Sequence, residues 1–162
     1  MGRKGGAPLT EQEYISRAEA CKAQLYRTAL LYLGSESAAL DAVDEAVYRG
    51  LTACKKLREP DFFRTWLTRI LINVCNTELR RRRREIAVEE LPETAAEAYD
   101  GLPLKEAVRR LPAQLRAVIV LRYFTGLTLA ETAESLGIPA GTVSTRQRRA
   151  LALLRLELTE EV

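Results

Sequence analysis

Apolar residues along this chain recur every three to four positions, the period of a helix, with few of the every-second-residue alternations that mark strands. From Glu11 to Leu33, the residues Tyr14, Ala18, Cys21, Leu25 and Tyr32 follow one side of a predicted helix. The segment "LGSES" ends it: Gly34 suits a C-terminal cap, and Ser35 or Ser37 can accept the first amide hydrogen bonds of a second helix. That second helix is expected to continue to about Leu57, with Ala42, Val43, Ala46, Val47 and Leu51 inward. Pro60 has no amide to donate and belongs in the first turn of a third helix, which runs through Trp66 into the arginines Arg80 to Arg84. Three helices of this length can bury a shared core, so the pattern predicts a three-helix-type bundle in the N-terminal half.

Periodicity stops at "IAVEELPETAAEAYDG", residues 86–101, which reads as a flexible linker. Sixteen residues reach roughly 50 Å when extended. Beyond it come a short helix from Leu104 to Leu111, a second from Pro112, and two more joined by a tight turn at Leu136, Gly137 and Ile138. Thr128 to Glu131 spells a capping box, in which hydroxyl and carboxylate satisfy each other's amides. The expected fold is all-α: residues 1–85 form one helical domain, residues 102–162 form a four-helix domain with a helix-turn-helix, and an acidic linker joins them.

A hydrophobic content of 47% excludes disorder throughout. Apolar runs such as Ala117 to Leu121 are far too short to cross a bilayer, and the basic N-terminus lacks the apolar core of a secretory leader. No histidine is present, and three spaced cysteines give neither a zinc site nor an even disulfide set, so a reducing cytosol is expected, with no metal and no cofactor. The net charge of +3 hides a division: residues 1–84 carry 16 basic and 10 acidic side chains, residues 85–101 six acids and no base, and residues 102–162 nine bases and six acids. Plus, minus, plus describes two domains that meet polyanions and a linker that would not.

Three faces are candidates for function. On the last helix Val143, Ala150 and Leu154 fall inward, Thr142, Thr145, Arg148 and Arg149 fall opposite, and Ser144 and Arg146 lie at the margins. In a helix-turn-helix this second helix enters the major groove, where arginine can grip guanine with two hydrogen bonds. On the third helix Arg69, Asn73, Asn76 and Arg80 form a stripe edged by Trp66, Thr77 and Arg84, while Arg81 belongs to the basic cluster. Cations follow phosphates, amides read base edges and rings accept stacked bases, which suits an unpaired strand. Trp66 by itself fits a core anchor better than an exposed stacking ring. On the second helix Asp41, Asp44, Glu45 and Tyr48 share a face that fits either a basic protein surface or a plain solvated side. Nothing converges as a catalytic constellation would, so neither an enzyme nor a small-molecule substrate is expected.

With these residues in place the chain resembles a two-domain sigma factor of the extracytoplasmic-function type, in the sigma-70 family of promoter-recognition subunits of bacterial RNA polymerase. The resemblance runs from about Tyr26 to Leu156. "ALDAVDEAV" is similar to the region that grips the clamp of the polymerase β′ subunit. "FRTWLTRILINVCNTELRRRRR" resembles the region that melts and captures the −10 element. "LPAQLRAVIVLRYFTGLTLAETAESLGIPAGTVSTRQRRAL" resembles the region that binds the −35 element. Asp44 stands where glutamine is usual, Gln147 where an apolar residue is common, and Ser144 and Arg148 where Lys and His are frequent.

The resemblance implies that Asp41, Asp44, Glu45 and Tyr48 bind core polymerase. It implies that Trp66, Arg69, Asn73, Asn76, Arg80, Arg81 and Arg84 bind the −10 strand once it unpairs. Thr142, Ser144, Thr145, Arg146, Arg148 and Arg149 would bind the −35 duplex. It further implies an anti-sigma factor as partner and a cytoplasmic location, with the nucleoid when active or held at a membrane by that partner, without stable membrane insertion. A competing expectation is a stand-alone helix-turn-helix regulator whose bundle serves dimerisation. The Asn/Arg stripe, which duplex binding does not need, argues against it.

Overall fold

Thr10 opens the first helix, α1 (Glu11–Leu33), with a complete capping box: its hydroxyl accepts the Glu13 amide at 3.2 Å, and the Glu13 carboxylate accepts the Thr10 amide at 3.4 Å. The computed structural model describes residues 8–57, 60–86 and 103–160, all helices, turns and short connections. Gly34 ends α1 at φ 71°, where a side chain would be strained, and Ser35 caps α2 (Glu36–Ala53). The second α-helix is shorter than its sequence indicates. At Ala53 it tightens into a 3-10 turn, Cys54–Lys56. Another such turn, Pro60–Phe62, leads into α3 (Phe63–Ile86).

The three helices pack around Tyr14, Leu25, Ala29, Val43, Ala46, Phe63, Leu67, Leu71 and Cys75, all buried. Gly50 is what lets α2 come so close. A Cβ there would lie 2.3 Å from the Tyr14 hydroxyl oxygen, and that hydroxyl donates to the Val47 carbonyl at 2.6 Å. No basic residue stands in the last turn of α1, but its terminal carbonyls are met from elsewhere. Arg82 donates to the Leu33 carbonyl and Arg116 to the Tyr32 carbonyl, each at 2.9 Å.

The C-terminal half comprises α4 (Pro103–Arg110), α5 (Ala113–Ile119), a π-helical turn (Val120–Phe124), α6 (Leu129–Leu136) and α7 (Ala140–Glu160). The π-turn is closed by the Thr125 amide donating to the Val120 carbonyl at 2.9 Å. The capping box at Thr128 and Glu131 is formed, and Gly137 turns the chain between α6 and α7 at φ 65°.

The two halves lie against each other. Ala117, Leu121 and Leu127 complete the core of the N-terminal bundle, and Leu31 packs on the C-terminal cluster of Val108, Leu111, Leu115, Ala150 and Leu154. Polar contacts surround this seam. Thr125 is their hub: its hydroxyl meets that of Thr28 at 2.7 Å, and its carbonyl accepts from Gln24 at 2.6 Å and from Arg64. Thr65 donates to the Glu131 carboxylate at 3.2 Å, Ser135 to the Thr65 carbonyl at 3.4 Å, and Arg69 faces Glu134 at 3.8 Å. The linker expected at 86–101 lies outside the described residues, apart from Ile86, which still belongs to α3.

Candidate nucleic-acid interface

The burial pattern of α7 follows from its sequence. Val143, Ala150 and Leu154 are buried where α7 packs on α4, α5 and α6, so residues half a turn away must face outward. Thr145, Arg148 and Arg149 are exposed, while Thr142, Ser144 and Arg146 are half-buried. The Thr145 hydroxyl donates to the Gly141 carbonyl at 3.0 Å, which leaves its oxygen able to accept. This helix therefore presents two full guanidiniums and several hydroxyls on one side.

On α3 the same reasoning gives a second polar side. Phe63, Leu67, Leu71 and Val74 are buried, Arg69, Asn73 and Arg80 are exposed, and Asn76 is half-buried. Arg80 donates to the Asn76 carbonyl at 3.4 Å, and Thr77 to the Asn73 carbonyl at 2.9 Å. The five arginines are not equivalent. Glu78 accepts from Arg81 at 2.8 and 3.1 Å and lies 3.4 Å from Arg82, so these two are partly neutralised inside the helix. The hydrogen bond from Arg81, chiefly, holds the Glu78 carboxyl below its ordinary range. Arg80, Arg83 and Arg84 are exposed at the helix end.

Trp66 is half-buried in an aromatic cluster, edge-on to Tyr14 with centroids 6.4 Å apart and tilted on Phe63 at 5.8 Å. The ring is a packing element, and what remains exposed of it borders the Arg69–Asn73 stripe. Arg69 is the one member of that stripe drawn towards the other half, through Glu134. Sequence reasoning did not single out Arg64, Thr65, Thr125 or Glu134, which join the halves. It recognised Glu131 only as a capping residue. One Glu131 oxygen serves the cap at 2.9 Å and the other accepts from Thr65 across the seam. Its carboxyl is held below the ordinary range first by the Thr128 amide, then by the Thr128 and Thr65 hydroxyls and Arg64.

The acidic side of α2 faces outward because Ala39, Ala42, Val43, Ala46 and Gly50 occupy the inward side. Asp41, Asp44, Glu45 and Tyr48 are all exposed, Tyr48 to 64%. Glu45 accepts from Arg49 at 2.8 Å. Leu40, 54% exposed, begins a row that continues through Asp44 to Tyr48 at four-residue steps. This apolar member went unremarked in the sequence, although its place outside the inward stripe was readable. A face with carboxylates and two large apolar side chains suits a protein surface better than a nucleic acid. Among the described residues no group of three or more Cys, Asp or Glu is gathered to hold a metal ion, and no helix is long and apolar enough to cross a membrane.

Residues 18–85 match the family model for sigma-70 region 2, and residues 107–156 match that for sigma-70, region 4. The chain is 33% identical over 145 residues to RNA polymerase sigma factor SigV of Bacillus subtilis, covering 86% of this chain and 87% of that protein. It is likewise 33% identical over 161 residues to the RNA polymerase sigma-E factor of Streptomyces coelicolor, covering 94% and 88%. In fold it is similar to the sigma factor RpoE in a co-crystal structure with the anti-sigma factor NepR from Bartonella quintana, with a TM-score of 0.78, 20% identity and coverage of 91% and 98%. CnrH, solved in complex with the cytosolic domain of CnrY, gives a TM-score of 0.73 at 24% identity, with coverage of 96% and 94%.

Proposed function

This chain belongs to the sigma-70 family as an RNA polymerase sigma factor of the extracytoplasmic-function type, and from that premise we propose how its surfaces divide the work. The acidic face of α2 docks core polymerase, Asp41, Asp44 and Glu45 meeting cations of the β′ clamp while Leu40 and Tyr48 supply apolar contact. Exposed groups of α7, led by Arg148 and Arg149, read the −35 element in the major groove. Arg69, Asn73, Asn76 and Arg80 hold the −10 strand after it unpairs, with Arg81, Arg83 and Arg84 on its phosphates. Trp66 borders that path as a wall for the first captured base. Unstacking a duplex costs about 1.4 kcal/mol per step, and stacking or binding a captured base returns ~1–3 kcal/mol. The protein then carries no catalytic step of its own, and works in the cytoplasm.

The observation that carries this reading is that one chain turns two separate sets of arginine and amide or hydroxyl side chains to solvent, only one of which duplex binding requires. Distance adds a constraint. Elements named for positions 35 and 10 lie about 25 base pairs apart, roughly 80 Å at ~34 Å per turn. A chain of this length packed as one body is about 40 Å across. The halves must therefore part on promoter DNA, breaking the contacts of Thr125, Thr65 and Arg69. The sixteen positions between α3 and α4 reach roughly 50 Å, and with a radius of about 14 Å for each half the span closes.

RpoE and CnrH were each solved with a partner protein, and the partner of RpoE, NepR, is named an anti-sigma factor. We infer a partner of that kind for this chain, one that favours the closed arrangement. Run-off transcription with bacterial core polymerase on a promoter library tests the whole assignment. Transcripts that depend on this chain and on both elements are expected. A chain that binds a palindrome as a dimer, and starts no transcript with core enzyme, would overturn it.

A further inference from the structure

Within the inward stripe of α7 one polar residue occupies a place that packing usually gives to apolar ones. The stripe is Val143, Gln147, Ala150 and Leu154, at steps of four, three and four, and its other three members are buried. Gln147 is half-buried with both ends of its amide engaged. Arg122 Nε donates to Gln147 Oε1 at 3.1 Å, and Gln147 Nε2 donates to the Tyr123 hydroxyl at 3.2 Å. A guanidinium only donates, so chemistry fixes which way round the amide lies. Arg122 is anchored in turn through Nη1 to the Leu127 carbonyl at 2.8 Å. Both partners come from the π-helical turn, Val120–Phe124, where the chain winds wider than an α-helix.

We propose that Gln147 is a positioning residue for −35 recognition, fixing the roll of α7 about its own axis through Arg122 and Tyr123. The inference rests on the assignment of α7 to the −35 element. Apolar contact is non-directional, so Val143, Ala150 and Leu154 keep the helix in place without setting its rotation sharply. Two hydrogen bonds to one amide are directional and tolerate only a few tenths of an ångström. A helix about 5–6 Å in radius that rolls by ~10° moves its far side by about 1 Å, beyond the ~0.5 Å within which a recognition group must be held. Arg148 and Arg149 sit on that far side. With one hydrogen bond already made at each end of its amide, Gln147 is held in a fixed orientation. Leucine at this position would fill the space and release the roll.

The test uses full-length Gln147→Leu, Tyr123→Phe, their double variant and Arg149→Ala, each assembled with core polymerase. Affinity and base preference are read on promoters randomised at −35, beside melting temperature and core binding. Gln147→Leu is expected to lose roughly three- to tenfold in affinity, the worth of one to two hydrogen bonds, and to broaden preference at −35. Tyr123→Phe, which removes only an exposed hydroxyl, should lose less in the same direction. The double variant should be no worse than Gln147→Leu, since both changes cut one path. Core binding should stay as in the wild type. Unchanged −35 preference in Gln147→Leu, even with a lowered melting temperature, would overturn the positioning role, provided Arg149→Ala still weakens −35 binding. Should Arg149→Ala also bind normally, the assignment of α7 fails first and carries the inference with it.

Discussion

Thr28→Val probes the seam between the halves with almost no change of shape. The hydroxyls of Thr28 and Thr125 meet at 2.7 Å, with 2% and 4% of the residues' surfaces exposed. Valine puts a methyl where one hydroxyl stood, so Thr125 keeps a buried hydroxyl with no partner on that side. Leaving such a group unmade costs about 1–3 kcal/mol. The penalty applies only while the halves are together, because both positions meet water once they part. The closed-to-open balance should then move by roughly 5- to 150-fold towards open. While the closed form still dominates, affinity for promoter-bound core polymerase should rise by the same factor. Small-angle scattering reads the opening as a radius of gyration above the ~15 Å of a packed chain of this length, and a polarisation titration reads the affinity. Thr28→Ser, which keeps the hydroxyl, should do neither. An unchanged radius and unchanged promoter affinity, alongside a lower melting temperature, would show that Thr28 merely holds its own bundle together and that closure does not compete with function.

Charge reversal at Asp41 and Glu45 should abolish co-purification with core polymerase while isolated −35 binding persists; retained co-purification removes α2 as the docking face. Gly50→Ala places a methyl 2.3 Å from the Tyr14 hydroxyl oxygen, and overpacking of this kind should cost ~1–3 kcal/mol in chemical denaturation. Glu131 is held below its ordinary value of 4.5, so its contribution to the cap and the seam is present at neutral pH and is lost as pH falls through its folded value. Melting temperature against pH should therefore drop more steeply in acid for the wild type than for Glu131→Gln; parallel curves would mean that the carboxylate contributes nothing specific.

Much of this molecule is legible from local chemistry. Thr10, Ser35 and Thr128 cap helices as their side chains dictate, Gly34 and Gly137 stop them, and the inward stripes of α1, α3 and α7 follow the helical period. Where local rules are weak, the reading slipped. Nothing in "TACKKL" says that α2 gives way to a 3-10 turn at Cys54, since the residues favour either winding. Trp66 by itself fitted a core anchor better than a stacking ring, but its partners, the rings of Tyr14 and Phe63, were not legible. The seam was invisible because its members are far apart in sequence: Thr28 and Thr125 are 97 positions apart, Thr65 and Glu131 66. A threonine on an amphipathic helix gives no sign that it will find another threonine. Gln147 likewise read as a departure until Arg122 and Tyr123 were seen at either end of its amide.

Photo-crosslinkers placed at Arg149 and at Asn73, in the same holoenzyme on the same melted promoter, address the division of labour most directly. The label on α7 is expected on paired DNA at −35 and the label on α3 on the unpaired −10 strand, both from one molecule at once. Crosslinks at a single element, or an α3 label that finds only double-stranded DNA, would contradict the account.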